Sequence, residues 1–206
     1  MKRMILAITG ASGAVYGVRI LKALADCGCH AHVVITAQAF EIIRAETGSD
    51  FYGETAAAVT EKLRAAMKSD RIEFHSEHDL GAAIASGSFR TNGMIVAPCS
   101  MKTLAAIANG YADNLVSRAA DVCLKEGRTL VLSPREMPFS AIHLENMLKL
   151  ARLGVKIAPP VPAFYHGVEK VSDLVDFVAG KILDAAGVEN EIFRRWGGDG
   201  KTTGTS

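Results

Sequence analysis

Two hydrophobic patterns alternate along the chain. Short apolar runs at 4–9, 32–35, 93–97, 129–133 and 155–158 read as strands buried on both faces. Between them, apolar residues recur at three- and four-residue intervals over 14–26, 37–47, 55–67, 101–109, 114–126, 140–153 and 171–186, which predicts amphipathic helices. Gly48, Gly110, Gly127, Gly154 and Gly187 fall where helix C-termini need a residue free to turn left-handed. Ser100, Asn114 and Ser140 stand at helix starts, where a side-chain oxygen can accept from the first exposed N–H groups. Strand and helix in alternation predict an α/β fold: a single-domain, three-layer α/β/α arrangement with a parallel sheet. Ligands of such sheets lie beyond the carboxyl ends of the strands.

Some stretches carry less pattern. Residues 49–80 hold the helix at 55–67 and then a mixed run, Glu73-Phe74-His75-Ser76-Glu77-His78, which reads as a solvated loop. The run Pro159-Pro160-Val161-Pro162 excludes helix and predicts a stiff, extended loop through Phe164 and Tyr165. Residues 1–196 read as one domain, and 197–206, rich in Gly and Thr, as a flexible tail.

Composition narrows the function class. A chain of 206 residues with 49% hydrophobic and 22% charged side chains builds one full core. A net charge of +1 without a basic block argues against nucleic acid as the main partner. The apolar run after Met1-Lys2-Arg3 is broken by Thr9-Gly10, too early for a secretory segment. No apolar run approaches the ~18 residues of a membrane span. Cys27, Cys29, Cys99 and Cys123 have neither disulfide-framework nor C-x-x-C spacing, so reduced thiols in a cytoplasmic protein are expected.

The candidate chemistry collects at predicted strand ends. The first strand runs into Thr9-Gly10-Ala11-Ser12-Gly13-Ala14 and then a helix start, a geometry that offers backbone N–H groups and a helix dipole to a phosphate. Gly-Lys-Ser/Thr is absent from this turn, and so is a full G-x-G-x-x-G, which speaks against an ATP-type P-loop and a dinucleotide fingerprint. The second strand ends in Thr36 rather than an acidic residue for a ribose, which suits a monophosphate such as FMN. After the run at 93–97, Pro98-Cys99-Ser100-Met101-Lys102-Thr103 supplies hydroxyl and N–H donors at another helix start. Cys99 reads as a packing residue. Ser133-Pro134-Arg135-Glu136-Met137-Pro138 places a phosphate-gripping fork beside a potential proton carrier. Arg118 and Lys125, seven apart, share a helix face, and Tyr165 and Lys181 could join them around an anion. Cys27, Cys29 and His30 read as a turn rather than a metal site, and His75 and His78 lack a third ligand.

Taken in order, these motifs resemble the UbiX/Pad-type flavin prenyltransferases. The resemblance also covers Ala45-Glu46-Thr47, Ala85-Ser86-Gly87-Ser88, Arg118-Ala119-Ala120-Asp121-Val122, His143 to Met147 and the Pro-rich Tyr165 loop. It implies a Rossmann/flavodoxin-like flavoprotein that joins a dimethylallyl group from dimethylallyl monophosphate to N5 and C6 of reduced FMN, without a metal. The prenylated FMN would serve a UbiD-type decarboxylase, and the chain would assemble as a homododecamer with sites shared between subunits. By the same resemblance, Gly10, Ala11, Ser12, Thr36, Ser100, Met101, Lys102, Thr103 and Arg135 contact FMN. Ser86, Gly87, Ser88, Arg118, Lys125, Tyr165 and Lys181 meet the donor. Glu136, Glu46 and Ser12 are the catalytic candidates, and Trp196 either covers the cavity or packs. The competing readings are an FMN-dependent aromatic-acid or peptidyl-cysteine decarboxylase and a non-enzymatic flavin carrier.

Overall fold

The computed structural model describes residues 1–165 and 167–195. Trp196 and the 197–206 tail lie outside the described residues. Six parallel strands form one sheet in the order β3-β2-β1-β4-β5-β6. They are β1 (Arg3–Ile8), β2 (His30–Ile35), β3 (Ile72–His75), β4 (Gly93–Cys99), β5 (Thr129–Pro134) and β6 (Lys156–Ile157). The helices are α1 (Ala14–Asp26), α2 (Ala37–Thr47), α3 (Ala56–Met67), α4 (Met101–Ala108), α5 (Leu115–Lys125), α6 (Ala141–Arg152) and α7 (Val171–Ala185).

Each sheet face has its own core, because alternate strand residues point to opposite sides. Leu6, Val33 and Ile95 join α1, α2, α3 and α7 in one cluster, while Ile5, Ala7, Met94 and Val96 join α4, α5 and α6 in the other. The sheet thus separates α7 from α5. α1 approaches the sheet closely because Gly17 carries no side chain: a Cβ there would drive into the carbonyl oxygen of Ala97 on β4. The capping residues act as the sequence suggests. Ser100, Asn114 and Ser140 accept N–H bonds from Thr103, Ser117 and His143. Gly48, Gly110, Gly127, Gly154 and Gly187 all take positive φ. Among the described residues no helix is long and apolar enough to cross a membrane.

β3 is an element that the sequence pattern does not reveal. Its four residues, Ile-Glu-Phe-His, pair with Ala31–Val34 of β2. His75 is therefore a buried strand residue, and the solvated-loop reading applies only to the exposed His78.

Candidate active site

Strand order reverses between β1 and β4, and the crevice above their carboxyl ends is the natural ligand position of such a sheet. Its floor is sewn together by Thr9. The Ser100 N–H donates to Thr9 Oγ1 at 2.8 Å, and the Thr9 hydroxyl donates to the Pro98 carbonyl at 2.9 Å. The Arg135 N–H donates to the Cys99 carbonyl at 3.1 Å, which ties in the end of β5.

Helices α1, α2 and α4 follow the ends of β1, β2 and β4 at this edge, each beginning with N–H groups that have no partner within the helix and a partial positive charge. The α1 terminus is taken by Glu46, whose oxygens accept from the Gly13 N–H at 2.9 and 3.1 Å and from the Val15 N–H at 3.3 Å. The α2 terminus is taken by Glu77, which accepts from the Ala37 N–H at 2.6 Å. The α4 terminus has only its own cap: Ser100 Oγ accepts from the Thr103 N–H at 3.3 Å and donates to Thr103 Oγ1 at 3.0 Å. Among the described residues, the Met101 and Lys102 N–H groups meet no acceptor.

A cavity of about 190 Å³ opens on that third terminus, lined by Thr9, Gly10, Thr36, Ser100, Lys102 and Thr103. Its other wall comes from Gln38, Glu77, Asp113, Asn114 and Ser117, none of which the sequence marks as site residues. Thr36 Oγ1 is buried and has no hydrogen-bond partner. A buried hydroxyl without a partner is costly unless a ligand supplies one.

The remaining candidates do not line this cavity. Ala11 is buried, and Ser12 is exposed with its carbonyl accepting from Arg135 Nε at 3.1 Å, so Arg135 bridges β5 to the β1 turn. Met101 packs against the α4–α5 core rather than lining the cavity. Glu136 does not pair with Arg135; it is exposed, and its Oε1 accepts from the Met137 N–H at 3.1 Å. Ser86, Gly87, Ser88, Arg118 and Lys125 do come together beside α5. Arg118 Nε donates to the Ala85 carbonyl at 3.2 Å, and a Cβ on Gly87 would lie 3.3 Å from Lys125 Nζ. Both cations have acidic neighbours, Asp121 at 3.1 Å and Glu126 at 3.5 Å. Tyr165 and Lys181 sit on the other side of the sheet. Tyr165 meets the ring of Phe177 at 6.0 Å, and Lys181 lies one turn further along the same helix, α7. One chain therefore does not bring these two residues to Arg118 and Lys125.

Cys99 is fully buried, and burial pushes its thiol well above the usual range, which removes it as a nucleophile. Cys27 and Cys29 form no metal cluster with His30; the Cys27 thiol instead donates to the Glu189 carbonyl at 3.2 Å.

Known proteins share this architecture. A family model described as Flavoprotein matches residues 1–183. The flavin prenyltransferase UbiX of Methanothermobacter thermautotrophicus is 49% identical over 198 residues, which cover 96% of this chain and 97% of the relative. The chain belongs to the UbiX family of flavin prenyltransferases. Two solved structures lie close to this UbiX-family enzyme. A dodecameric FMN-dependent UbiX-like decarboxylase from Escherichia coli O157:H7 is 51% identical with a TM-score of 0.84, covering 95% of this chain and 100% of that one. AnUbiX (PadA1), in complex with FMN and dimethylallyl pyrophosphate, is 44% identical with a TM-score of 0.84, covering 96% and 98%. The UbiX-family chain is thus a flavoprotein enzyme with a parallel, flavodoxin-like sheet.

Proposed function

We propose that this enzyme transfers the dimethylallyl group of dimethylallyl monophosphate to reduced FMN, and that residues 1–196 act as one catalytic domain. The observation that carries the reading is the α4 terminus: N–H groups without acceptors, the Lys102 cation and the partnerless Thr36 hydroxyl converge on one cavity. A phosphate ester monoanion or dianion matches that donor set. The FMN phosphate is therefore assigned to α4, beside Thr36, Ser100, Lys102 and Thr103. The Gly10–Gly13 turn, the sequence-based expectation, has its helix terminus filled by the Glu46 carboxylate. Glu46 then serves as a positioning residue that holds the turn carrying Gly10, Ala11 and Ser12.

Reduced flavin supplies the nucleophilic N5 and C6 positions. The chain supplies the rest. Arg135, anchored on the Ser12 carbonyl, fixes the turn against β5 and presents its guanidinium at the strand ends. Glu136, next to it and ordered by the Met137 N–H, takes up the proton released at C6. Loss of phosphate from the donor requires cations placed where negative charge develops. Arg118 and Lys125 beside Ser86–Ser88 form one half of that clamp, and Tyr165 and Lys181 form the other. Because the sheet separates the halves, the complete clamp is assembled between subunits of a homo-oligomer, a dodecamer in this reading. The product passes to a UbiD-type decarboxylase. The free Cys29, Cys99 and Cys123, all buried, accord with a reducing cytoplasmic setting.

The test is mass spectrometry of the flavin after anaerobic incubation of the protein with reduced FMN and dimethylallyl monophosphate. A flavin heavier by one dimethylallyl unit supports the reading. Unmodified flavin, with carbon dioxide released from an aromatic acid or a peptidyl cysteine, would replace it with a decarboxylase. Unmodified FMN retained without any reaction would leave a flavin carrier.

A further inference from the structure

Three imidazoles surround one carboxylate at the β2–β3 edge of the sheet, away from the flavin cavity. Strand alternation puts them there. His32 lies opposite Glu73 and Val34 opposite His75, so His30, His32, Glu73 and His75 share the face on which Val34 joins the α4–α5 core. The helices of that face pack on β4 and β5. Over His32 the cover is Phe89, edge-on at 5.2 Å.

The donor atoms converge. His32 Nδ1 and His75 Nε2 are 3.0 Å apart. Glu73 Oε2 lies 3.9 Å from His30 Nε2 and 3.5 Å from His32 Nδ1, and Glu73 Oε1 lies 3.8 Å from His75 Nε2. These three separations are longer than ordinary hydrogen bonds. Together with the 3.0 Å between His32 and His75 they span the edge of a different figure: ligand atoms of a tetrahedral zinc, bound at about 2.0–2.1 Å, stand roughly 3.3–3.4 Å from one another. Ligand atoms of His30, His32 and Glu73 all lie within 4.8 Å of one another. His32 is 3% exposed, and the ring nitrogen it turns towards Glu73 and His75 is Nδ1.

We propose that His30, His32 and Glu73, with His75 as the fourth donor, bind a divalent transition metal of the zinc type. Imidazole nitrogen with one carboxylate is a donor set that zinc favours. The buried rings are already in the ligating form: burial first, then the neighbouring His75 and His30, holds His32 at about 3, and burial lowers His75 as well. Entry is open from the side of His30 and Glu73, which are 30% and 49% exposed. The ion would fasten the four-residue edge strand β3 to β2.

Isothermal titration of EDTA-stripped full-length protein with zinc chloride tests this, together with the visible spectrum of the cobalt(II) form. Expected are one ion per chain, tetrahedral cobalt bands without a thiolate charge-transfer band, and a melting temperature raised by about 5–10 °C at a hundredfold excess over Kd. Glu73→Gln and His30→Ala should each weaken zinc binding at least tenfold, while metal-free melting stays near that of the parent. Cys27→Ser should leave binding unchanged, and the stripped protein should still prenylate FMN. Absent stoichiometric binding, a thiolate band, or zinc affinity unmoved in both variants would overturn the site.

Discussion

Glu46, from the end of α2, places both carboxylate oxygens on the Gly13 N–H at the start of α1, at 2.9 and 3.1 Å. Two residues 33 positions apart in the chain thereby close the very helix terminus that a phosphate would otherwise use. Removing the cap by Glu46→Ala is expected to cost about 0.5–2 kcal/mol of stability, as other N-terminal caps do. Denaturant unfolding of the flavin-free protein measures it. A stability unchanged within error would mean that the contact contributes nothing.

The phosphate position is tested by a pair of charge insertions. Aspartate caps a helix as well as serine does, so Ser100→Asp should fold normally while setting a negative charge against the ligand. FMN affinity should fall severely. Ser12→Asp, on the exposed turn beneath the Glu46-filled terminus, should change affinity far less. Flavin fluorescence titration compares the two, and the reverse ranking would return the phosphate to the first turn.

Thr36 offers a cleaner separation of folding from binding. Its hydroxyl has no partner in the protein, so Thr36→Val should leave the flavin-free protein as stable or more so. A hydrogen bond to a charged group is worth about 1.5–3 kcal/mol, so FMN affinity should drop roughly 10- to 100-fold. Equal affinity in parent and variant would place the ligand elsewhere.

Glu136→Gln keeps the shape and the Met137 contact but removes the base. Turnover should fall by ~10²–10⁴-fold with FMN binding retained. Lys125→Ala and Tyr165→Phe should act on the donor instead, raising its KM or blocking transfer. Mixing the Lys125→Ala and Tyr165→Phe proteins and reassembling them should restore some activity if the clamp is shared between subunits. Near-normal prenylation by Glu136→Gln would reduce Glu136 to a structural residue.

The thiols report on the core. Cys27 is exposed, whereas Cys29, Cys99 and Cys123 are buried, and burial pushes Cys123 up to about 11. A colorimetric disulfide reagent at pH 8 should therefore titrate one thiol per native chain and four after denaturation. Rapid modification of Cys99 would contradict its burial.

The sequence shows the sheet and its helices because the central strands are continuous apolar runs and the helices carry their own caps. β3 escapes because it is four residues long and half polar, and its His75 packs on His32, a residue far away in the chain that is itself covered by Phe89. The cavity was half legible. Thr36, Ser100, Lys102 and Thr103 stand at strand and helix ends that motifs mark. Glu77, Gln38 and Ser117 enter only when the loops fold over the crevice, and no spacing in the chain announces that Glu77 would reach the Ala37 N–H. The destination of the Glu46 carboxylate is hidden for the same reason.

The sheet order also constrains how the molecule is made. β1 pairs at once with β2, yet its other edge waits for β4, which begins at Gly93. A nascent chain therefore holds its most apolar strand with one side unpaired until nearly half of the polypeptide has left the ribosome, a period open to misassociation with other chains. The crevice between β1 and β4 comes into being only when that seam closes, so the cofactor cannot guide the beginning of folding.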